Sequence, residues 1–308
     1  MIWTVTLNPA IDHVYLLRQG ADPKACMAEA SAHVPAGKGV NVSRALATLG
    51  TASTAVVLVS QDEAAQYEAS LRCMPAEPRC LALLPFVRHH TTLLWQDGRP
   101  PLHVREPGPV ASPESLSATS AALAEARTGD DVAFCGSLPP GLSDDAYASL
   151  VARVQSLGGR AWLDTAGPAL ALGLEARPYA VKVNRQEAAD VLSMDTASIA
   201  GASRAAVALL DRVQQFAVVT LGKDGLILAS RSALVWARAQ PQHLLNAVGS
   251  GDAAFAGLLS AWQAGESELA MARLAAVAAS ASLNSLIPAA FAPADLAFSL
   301  ANSLATMQ

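Results

Sequence analysis

The chain reads as an α/β protein built on a mainly parallel sheet. Three observations predict this. From residue 113 onward, short apolar runs suited to strands alternate with longer helical patterns, the order that produces a parallel sheet covered by helices on both faces. The chain has 308 residues, 52% of them apolar, enough for one large α/β body with a full core. Turns rich in glycine, asparagine and aspartate follow the strand runs, where parallel sheets bind their ligands.

The elements follow in order. Residues 2–7 read as a buried strand ending at Asn8-Pro9, with Asp12 in the loop that follows. Residues 13–18 and 28–34 are half-apolar and predict short exposed strands. Pro35 to Gly39 reads as a turn, and Val40 to Leu49 as a helix stopped by Gly50. Residues 54–59 predict a strand and 62–73 a helix. Residues 88–104 alternate around Gln96-Asp97-Gly98, the pattern of a hairpin. Helix 113–127, strand 131–135, helix 144–157, strands 160–164 and 179–183, helices 185–193 and 198–214 and strand 216–220 come next. A β-pair at 225–237 precedes a glycine-rich loop, and two or three alanine-rich helices close the chain. The pieces at about 12–35 and 87–106 predict a small β-lid inserted in a single body spanning 1–308.

Composition removes several function classes. A net charge of -5 provides no global attraction to nucleic acid or to an anionic membrane. Cys26, Cys73, Cys80 and Cys135 show no Cys-x-x-Cys spacing, which argues against a metal site or a disulfide framework. The opening residues have no basic region before Asn8-Pro9, so no signal peptide is expected. The longest apolar runs are broken by Arg, Glu or Gly, so no membrane span is expected either. A cytoplasmic protein is the expectation. Lysine is scarce, with only Lys24, Lys38, Lys182 and Lys223, and the last three read as parts of glycine- or asparagine-containing turns.

The stretch Asn246 to Leu258 is the most informative. Gly249, Ser250 and Gly251 lead straight into Asp252 and a small apolar helical run. Glycines permit a sharp turn and close approach to a ligand, and the start of a helix presents unpaired N–H groups that suit a phosphate. An aspartate at that end repels a resting phosphate but can take the proton of an attacking hydroxyl. Turn, anion cradle and base are the parts of phosphoryl transfer. The alternative is an ordinary cap with Ser250 or Asp252 as the cap residue. A dinucleotide turn is excluded because Gly257 comes three residues too late, and a Walker loop because no Gly-Lys-Ser/Thr follows.

Polar groups recur after the strands. Asn8 and Asp12, the run Gly136-Ser137-Leu138-Pro139, Asp164-Thr165, the group Lys182, Asn184 and Glu187, and Thr220 to Gly225 all take such positions. Each alone has a plain structural reading as a turn or cap. Together with the Asp252 loop they predict six polar loops converging on one sheet edge.

These residues carry a resemblance. Thr6-Leu7-Asn8-Pro9-Ala10-Ile11-Asp12, Ala36-Gly37-Lys38-Gly39-Val40-Asn41, Gly136-Ser137-Leu138-Pro139, Asn184-x-x-Glu187 and Val248-Gly249-Ser250-Gly251-Asp252 are similar, in that order, to the signatures of the PfkB (ribokinase-like) carbohydrate kinases. The branch they resemble holds 1-phosphofructokinase and tagatose-6-phosphate kinase. The resemblance implies a three-layer α/β/α body with a β-lid. It implies ATP-dependent phosphorylation of fructose 1-phosphate, tagatose 6-phosphate or fructose 6-phosphate to the bisphosphate, with Asp252 as general base. The N–H groups of Gly249, Ser250 and Gly251 would form the anion hole. Asp12, Gly37, Lys38, Asn41, Arg88 and Ser137 would hold the sugar phosphate. Lys182, Asn184, Thr220, Gly222 and Gly225 would border ATP, and Glu187 would organise Mg²⁺ through water. A monovalent cation near the Asp252 loop occurs in parts of the family. Lids of the family pair across a homodimer, which is expected here too.

The pattern departs from the branch on the lid. Val87-Arg88-His89-His90 stands where a Thr-Arg pair helps bind the substrate's phosphate, so the arginine is kept and the threonine is not. A lysine further along that strand aligns with Thr92. Arg105 is placed to replace the missing charge, while the paired histidines read as lid surface. These departures leave two alternatives: a kinase of an unphosphorylated sugar or nucleoside, and a catalytically silent nucleotide- or sugar-binding protein.

Overall fold

The structure is a computed structural model that describes residues 1–18, 20, 22 and 26–307. Parts of the first lid segment, including Lys24, therefore lie outside the described residues. Among the described residues, the strands form one sheet of ten and one of four.

The large sheet is built on β1 (Ile2–Thr6), whose five residues are all buried. It pairs in parallel with β4 (Ser53–Ser60) on one side and β8 (Asp131–Cys135) on the other. Parallel pairing continues outward from β4 to β5 (Ala76–Leu84), and from β8 through β9 (Arg160–Asp164) and β10 (Ala180–Asn184) to β11 (Phe216–Thr220). Three antiparallel strands complete the edge: β12 (Leu226–Ala229), β13 (Leu234–Ala239) and β14 (Ser303–Met307). Two layers of helices cover the faces. One core cluster joins the sheet to α3 (Pro113–Ala122), α4 (Ala146–Ser156), α5 (Gly167–Glu175), α6 (Arg185–Leu192) and α7 (Ile199–Leu209). The other joins it to α1 (Lys38–Thr48), α8 (Ser250–Gln263) and α9 (Glu268–Ser282). A third, smaller cluster packs α2 (Ala64–Arg72) beside them, and α10 (Pro293–Ala301) lies against α9.

The period of two along each strand decides which side chains reach the site. In β9, β10 and β11, Leu163, Val183 and Val219 belong to the first cluster, while Trp162, Ala180 and Val218 belong to the second. Asp164, Lys182 and Thr220 share the parity of that second set. They therefore face α1 and α8 at the carboxyl ends of their strands.

The small sheet has the order β3-β2-β6-β7, made of β2 (Ala10–Leu17), β3 (Ala28–Ala36), β6 (Arg88–Trp95) and β7 (Leu102–Arg105). β2 pairs antiparallel with β3 and parallel with β6, and β6 turns back onto β7.

The structure corrects several expectations. Asp12 sits within β2 and not in a loop, because the chain re-enters a strand directly after Pro9. Pro35 and Ala36 belong to β3, and the helix begins at Lys38 without a separate turn. Lys182 lies in β10 and not in a turn. The stretch 198–214 is α7 followed by a short 3-10 turn, Leu210–Arg212. Strands β5 and β14 and helix α5 have no counterpart in the sequence reading. β5 carries Pro78 and charged residues that break its apolar pattern, and it tolerates them as an edge strand.

Candidate active site

The first turn of α8 is shaped by its loop. Gly249 caps the helix at φ 81, and a Cβ there would lie 2.6 Å from the Ala289 nitrogen and 3.0 Å from the Pro288 carbonyl carbon. Only glycine fits a positive φ against that backbone. Buried Asn246 clamps the loop: its Nδ2 donates to the Leu286 carbonyl at 3.0 Å, and its Oδ1 accepts from the Val248 N–H at 3.0 Å. The Ser250 N–H turns back to the Ala247 carbonyl at 3.3 Å. Among the described residues, the N–H groups of Gly249, Gly251 and Asp252 have no acceptor. Of the expected trio of Gly249, Ser250 and Gly251, two N–H groups are thus without a described acceptor and that of Ser250 is engaged.

Four charges lie behind this turn. Asp164 is fully buried and accepts from Lys38 Nζ at 2.8 Å and from Lys182 Nζ at 2.7 Å. Burial alone would raise its carboxyl, but Lys182 and Lys38 overcome that and hold it below the usual carboxylate range. Burial acts against the Lys38 ammonium too, and Asp164 and Asp252 more than reverse it, so its pKa is raised. Asp252 is buried and accepts from Asn41 Nδ2 at 2.8 Å. Burial pushes its carboxyl up to about 6, against the opposing pull of Lys38. A carboxylate tuned toward neutrality, at a helix start with free N–H groups, can accept a proton close to working pH.

Beside the turn opens a cleft of about 910 Å³ lined by Asn184, Thr220, Gly222, Gly225, Ser250 and Gly251. Leu221, Ala254, Ala276 and Leu283 add apolar lining. Five of the residues expected around a nucleotide were Lys182, Asn184, Thr220, Gly222 and Gly225, and four of them line this cleft. Lys182 does not. It is buried behind Gly251 on Asp164, with Nζ 3.5 Å from where a Gly251 Cβ would sit. Asn184 and Glu187 form a capping box on α6, with Asn184 Oδ1 accepting from the Glu187 N–H at 2.9 Å and Glu187 Oε2 accepting from the Asn184 N–H at 2.7 Å. One Glu187 oxygen remains outside that box.

The remaining expected residues lie on β2, on α1 and just before it, on β6 and in the loop after β8. Gly37, at φ 121, precedes α1 and lets Lys38 start the helix. Ser137 Oγ accepts from Asn8 Nδ2 at 3.1 Å. The half-buried Arg88 donates to the Asn8 carbonyl at 2.9 Å and to the Pro9 carbonyl at 3.2 Å. Asp12 is buried and faces His90 Nδ1 at 3.4 Å, while His90 pairs across the strands with Arg105. The paired histidines therefore part ways. His89 is exposed and bonds His13 at 2.8 Å, as a surface residue would, whereas His90 turns inward to Asp12. The sequence reading counted Asp164-Thr165 among the polar strand ends but gave Asp164 no place among the site residues, and passed over Arg44, the one arginine of α1.

The pfkB family carbohydrate kinase model matches residues 5–294. The chain belongs to that family. Among curated proteins, a 1-phosphofructokinase of Rhodobacter capsulatus is 34% identical over 279 residues, covering 89% of this chain and 87% of that one. A 1-phosphofructokinase of Bacillus subtilis (strain 168) is 27% identical over 260 residues, covering 84% and 85%. Among solved structures, phosphofructokinase-2 from Escherichia coli in complex with fructose-6-phosphate superposes with a TM-score of 0.87 at 21% identity, covering 97% and 98%. A ribokinase of Arabidopsis thaliana complexed with ribose and ATP gives 0.72 at 18% identity with the same coverage. These structural likenesses show the shared fold, a large mainly parallel sheet beside a small separate one.

Proposed function

We propose that this chain is an ATP-dependent sugar-phosphate kinase in which Asp252 is the general base. The observation that carries the reading is one buried carboxylate, raised to about 6, that follows the cleft-lining Ser250 and Gly251 directly and accepts from Asn41 on α1. Family membership and the 1-phosphofructokinase names of its relatives support a sugar phosphate as acceptor. Fructose 1-phosphate is the first candidate, ahead of fructose 6-phosphate and tagatose 6-phosphate.

In this reading the base of ATP lies against the apolar lining of the cleft and its phosphates run toward Ser250 and Gly251. The unpaired N–H groups of the α8 turn stabilise charge on the moving phosphoryl group, a donor set in which each member is worth roughly 3–4 kcal/mol of barrier. Asp252 takes the proton of the attacking hydroxyl. Lys38, held by Asp164, keeps a positive charge beside that reaction without leaving the site. Lys182 completes the pair from behind. Among the described residues no group of three or more His, Cys, Asp or Glu side chains is arranged to hold a metal. Mg²⁺ here would take its ligands mainly from the triphosphate and water, with the free oxygen of Glu187 as a partner through water. Bound there, it would neutralise triphosphate charge. A monovalent cation beside the loop of Gly249 belongs to the same reading, one structural neighbour having been solved with potassium.

The small sheet serves as the lid in this proposal, excluding water that would otherwise accept the phosphoryl group. Arg88 and Arg105 on it are the candidates for the substrate's resident phosphate, through their planar donor forks. Its exposed strands favour pairing with a second copy through the lid. No described helix is long and apolar enough to cross a membrane.

One observation favours a free sugar instead. Two of the Arg88 donors are already engaged by backbone carbonyls, and Val87 and Thr92 add no charge. Release of ADP from Mg-ATP over fructose 1-phosphate, fructose 6-phosphate, tagatose 6-phosphate, fructose, ribose and adenosine separates the two. Turnover with one sugar phosphate supports the proposal. Turnover with a free sugar or nucleoside alone replaces it with the second reading.

A further inference from the structure

Arg44 lies on α1 three residues after Asn41 and so on the same helix face. It is buried, and its guanidinium stays charged at any ordinary pH. Among the described residues, none of its three side-chain bonds goes to a carboxylate. Nη1 donates to Asn41 Oδ1 at 2.7 Å and to the Pro288 carbonyl at 3.0 Å, and Nη2 donates to the Pro35 carbonyl at 2.6 Å. A buried cation bonded to neutral acceptors is costly in desolvation, and burial accordingly pulls its pKa down against the opposing charges of Asp12 and Asp252. The bonds themselves show what is gained. Pro35 lies at the base of β3, where the small sheet joins α1. Pro288 belongs to the loop on which Gly249 packs. Asn41 is the donor to Asp252.

The donor and acceptor chemistry then fixes one orientation. A guanidinium has only donors, so it holds Asn41 Oδ1 toward itself and leaves Nδ2 to face Asp252. Turned over, the amide would set an oxygen against the Asp252 carboxylate. With Nδ2 on Oδ2, the Oδ1 of Asp252 takes no hydrogen bond among the described residues. That is the oxygen open to a substrate hydroxyl.

We propose that Arg44 is a positioning residue that locks the Asn41 amide, and through it the Asp252 carboxylate, and ties that lock to the base of the small sheet. The inference rests on Asp252 acting as the base. The charged groups facing Asp252 are Lys38 on α1, Asp164 on β9 and Lys182 on β10, with the Arg44 cation acting on it from beyond Asn41. Removing Arg44 takes away a positive charge and frees the amide, and both changes make Asp252 harder to ionise.

The test is a set of kinetic pH profiles on purified variants whose fold is checked by circular dichroism. Arg44→Met is expected to move the acid limb of kcat/KM upward by about one pH unit. Its kcat is expected to fall about 10²-fold, the cost of a misplaced reacting group, with the KM for Mg-ATP unchanged. Arg44→Lys keeps the charge but not the fork, and is expected to lose less kcat and to hold the limb near its wild-type position. If Arg44→Met does not fold, the cycle of Arg44→Lys with Asn41→Leu decides. Arg44→Lys should cost activity when Asn41 is present and nothing further when it is absent. A folded Arg44→Met with wild-type kcat and limb overturns the proposal, and so does an Arg44→Lys cost that is the same in both backgrounds. Full turnover in Asp252→Asn is a different failure, since it removes the base reading before Arg44 is altered.

Discussion

Asp252 and Asp164 are buried carboxylates that feel the same two lysines, Lys38 and Lys182, yet burial wins at one and charge wins at the other. Asp164 accepts directly from two ammonium groups, whereas the Asp252 carboxylate accepts, among the described residues, from an amide alone. The folded carboxyl of Asp252 lies at about 6, above its unfolded value of about 3.9. Between those values the folded state keeps a proton that the unfolded chain releases. Its contribution to stability is therefore complete below the unfolded value and is lost as pH rises through 6. The ionised group then carries a penalty of up to ~3 kcal/mol. Asp252→Asn is accordingly expected to be more stable than wild type in urea unfolding at about pH 8, with the gap closing below about pH 4. Asp164→Asn should do the opposite. It leaves buried Lys182 without a counter-ion and is expected to cost about 3–5 kcal/mol in the same assay. Neither interaction could be read from the chain, because the partners lie far apart in sequence: 126 residues for Lys38 with Asp164, 211 for Asn41 with Asp252.

At the scale of elements, the glycine-rich start of α8 was legible because its parts are contiguous, whereas Asn184 and Glu187, three apart, were named only through the resemblance and not as the capping box they form on α6. The capping box has two readings that one substitution separates. Glu187→Gln keeps a capping side chain at that position but removes the charge offered to a hydrated metal. The expected outcome is a raised Mg²⁺ requirement in the kinase assay with stability changed by no more than about 0.5 kcal/mol. An unchanged Mg²⁺ dependence would leave Glu187 as a cap alone. The elements that escaped the sequence reading share a cause. α5 opens on Gly167-Pro168, which reads as a turn, although proline is at home in a first helical turn. β14 is a five-residue strand whose partner among the described residues, β13, lies more than sixty residues away in the chain.

Across the whole molecule, alternation of strand and helix made the sheet, its covered faces and its polar edge predictable, since parallel strands place all their carboxyl ends on one side. Parity along β9, β10 and β11 then aimed Asp164, Lys182 and Thr220 at the α1–α8 face. The small sheet was legible as strands but not as a surface. That β2 pairs in parallel with β6, and so sets Asp12 beside His90 and His90 beside Arg105, depends on register between distant segments. The central claim is that this assembly transfers a phosphoryl group with Asp252 as base. The most direct test is single-turnover ADP formation from Mg-ATP and the accepted sugar phosphate, comparing wild type with Asp252→Asn at equal nucleotide occupancy. The account predicts a rate lowered by about 10²–10⁴-fold in the variant with ATP affinity unchanged. A variant that turns over at the wild-type rate would contradict it.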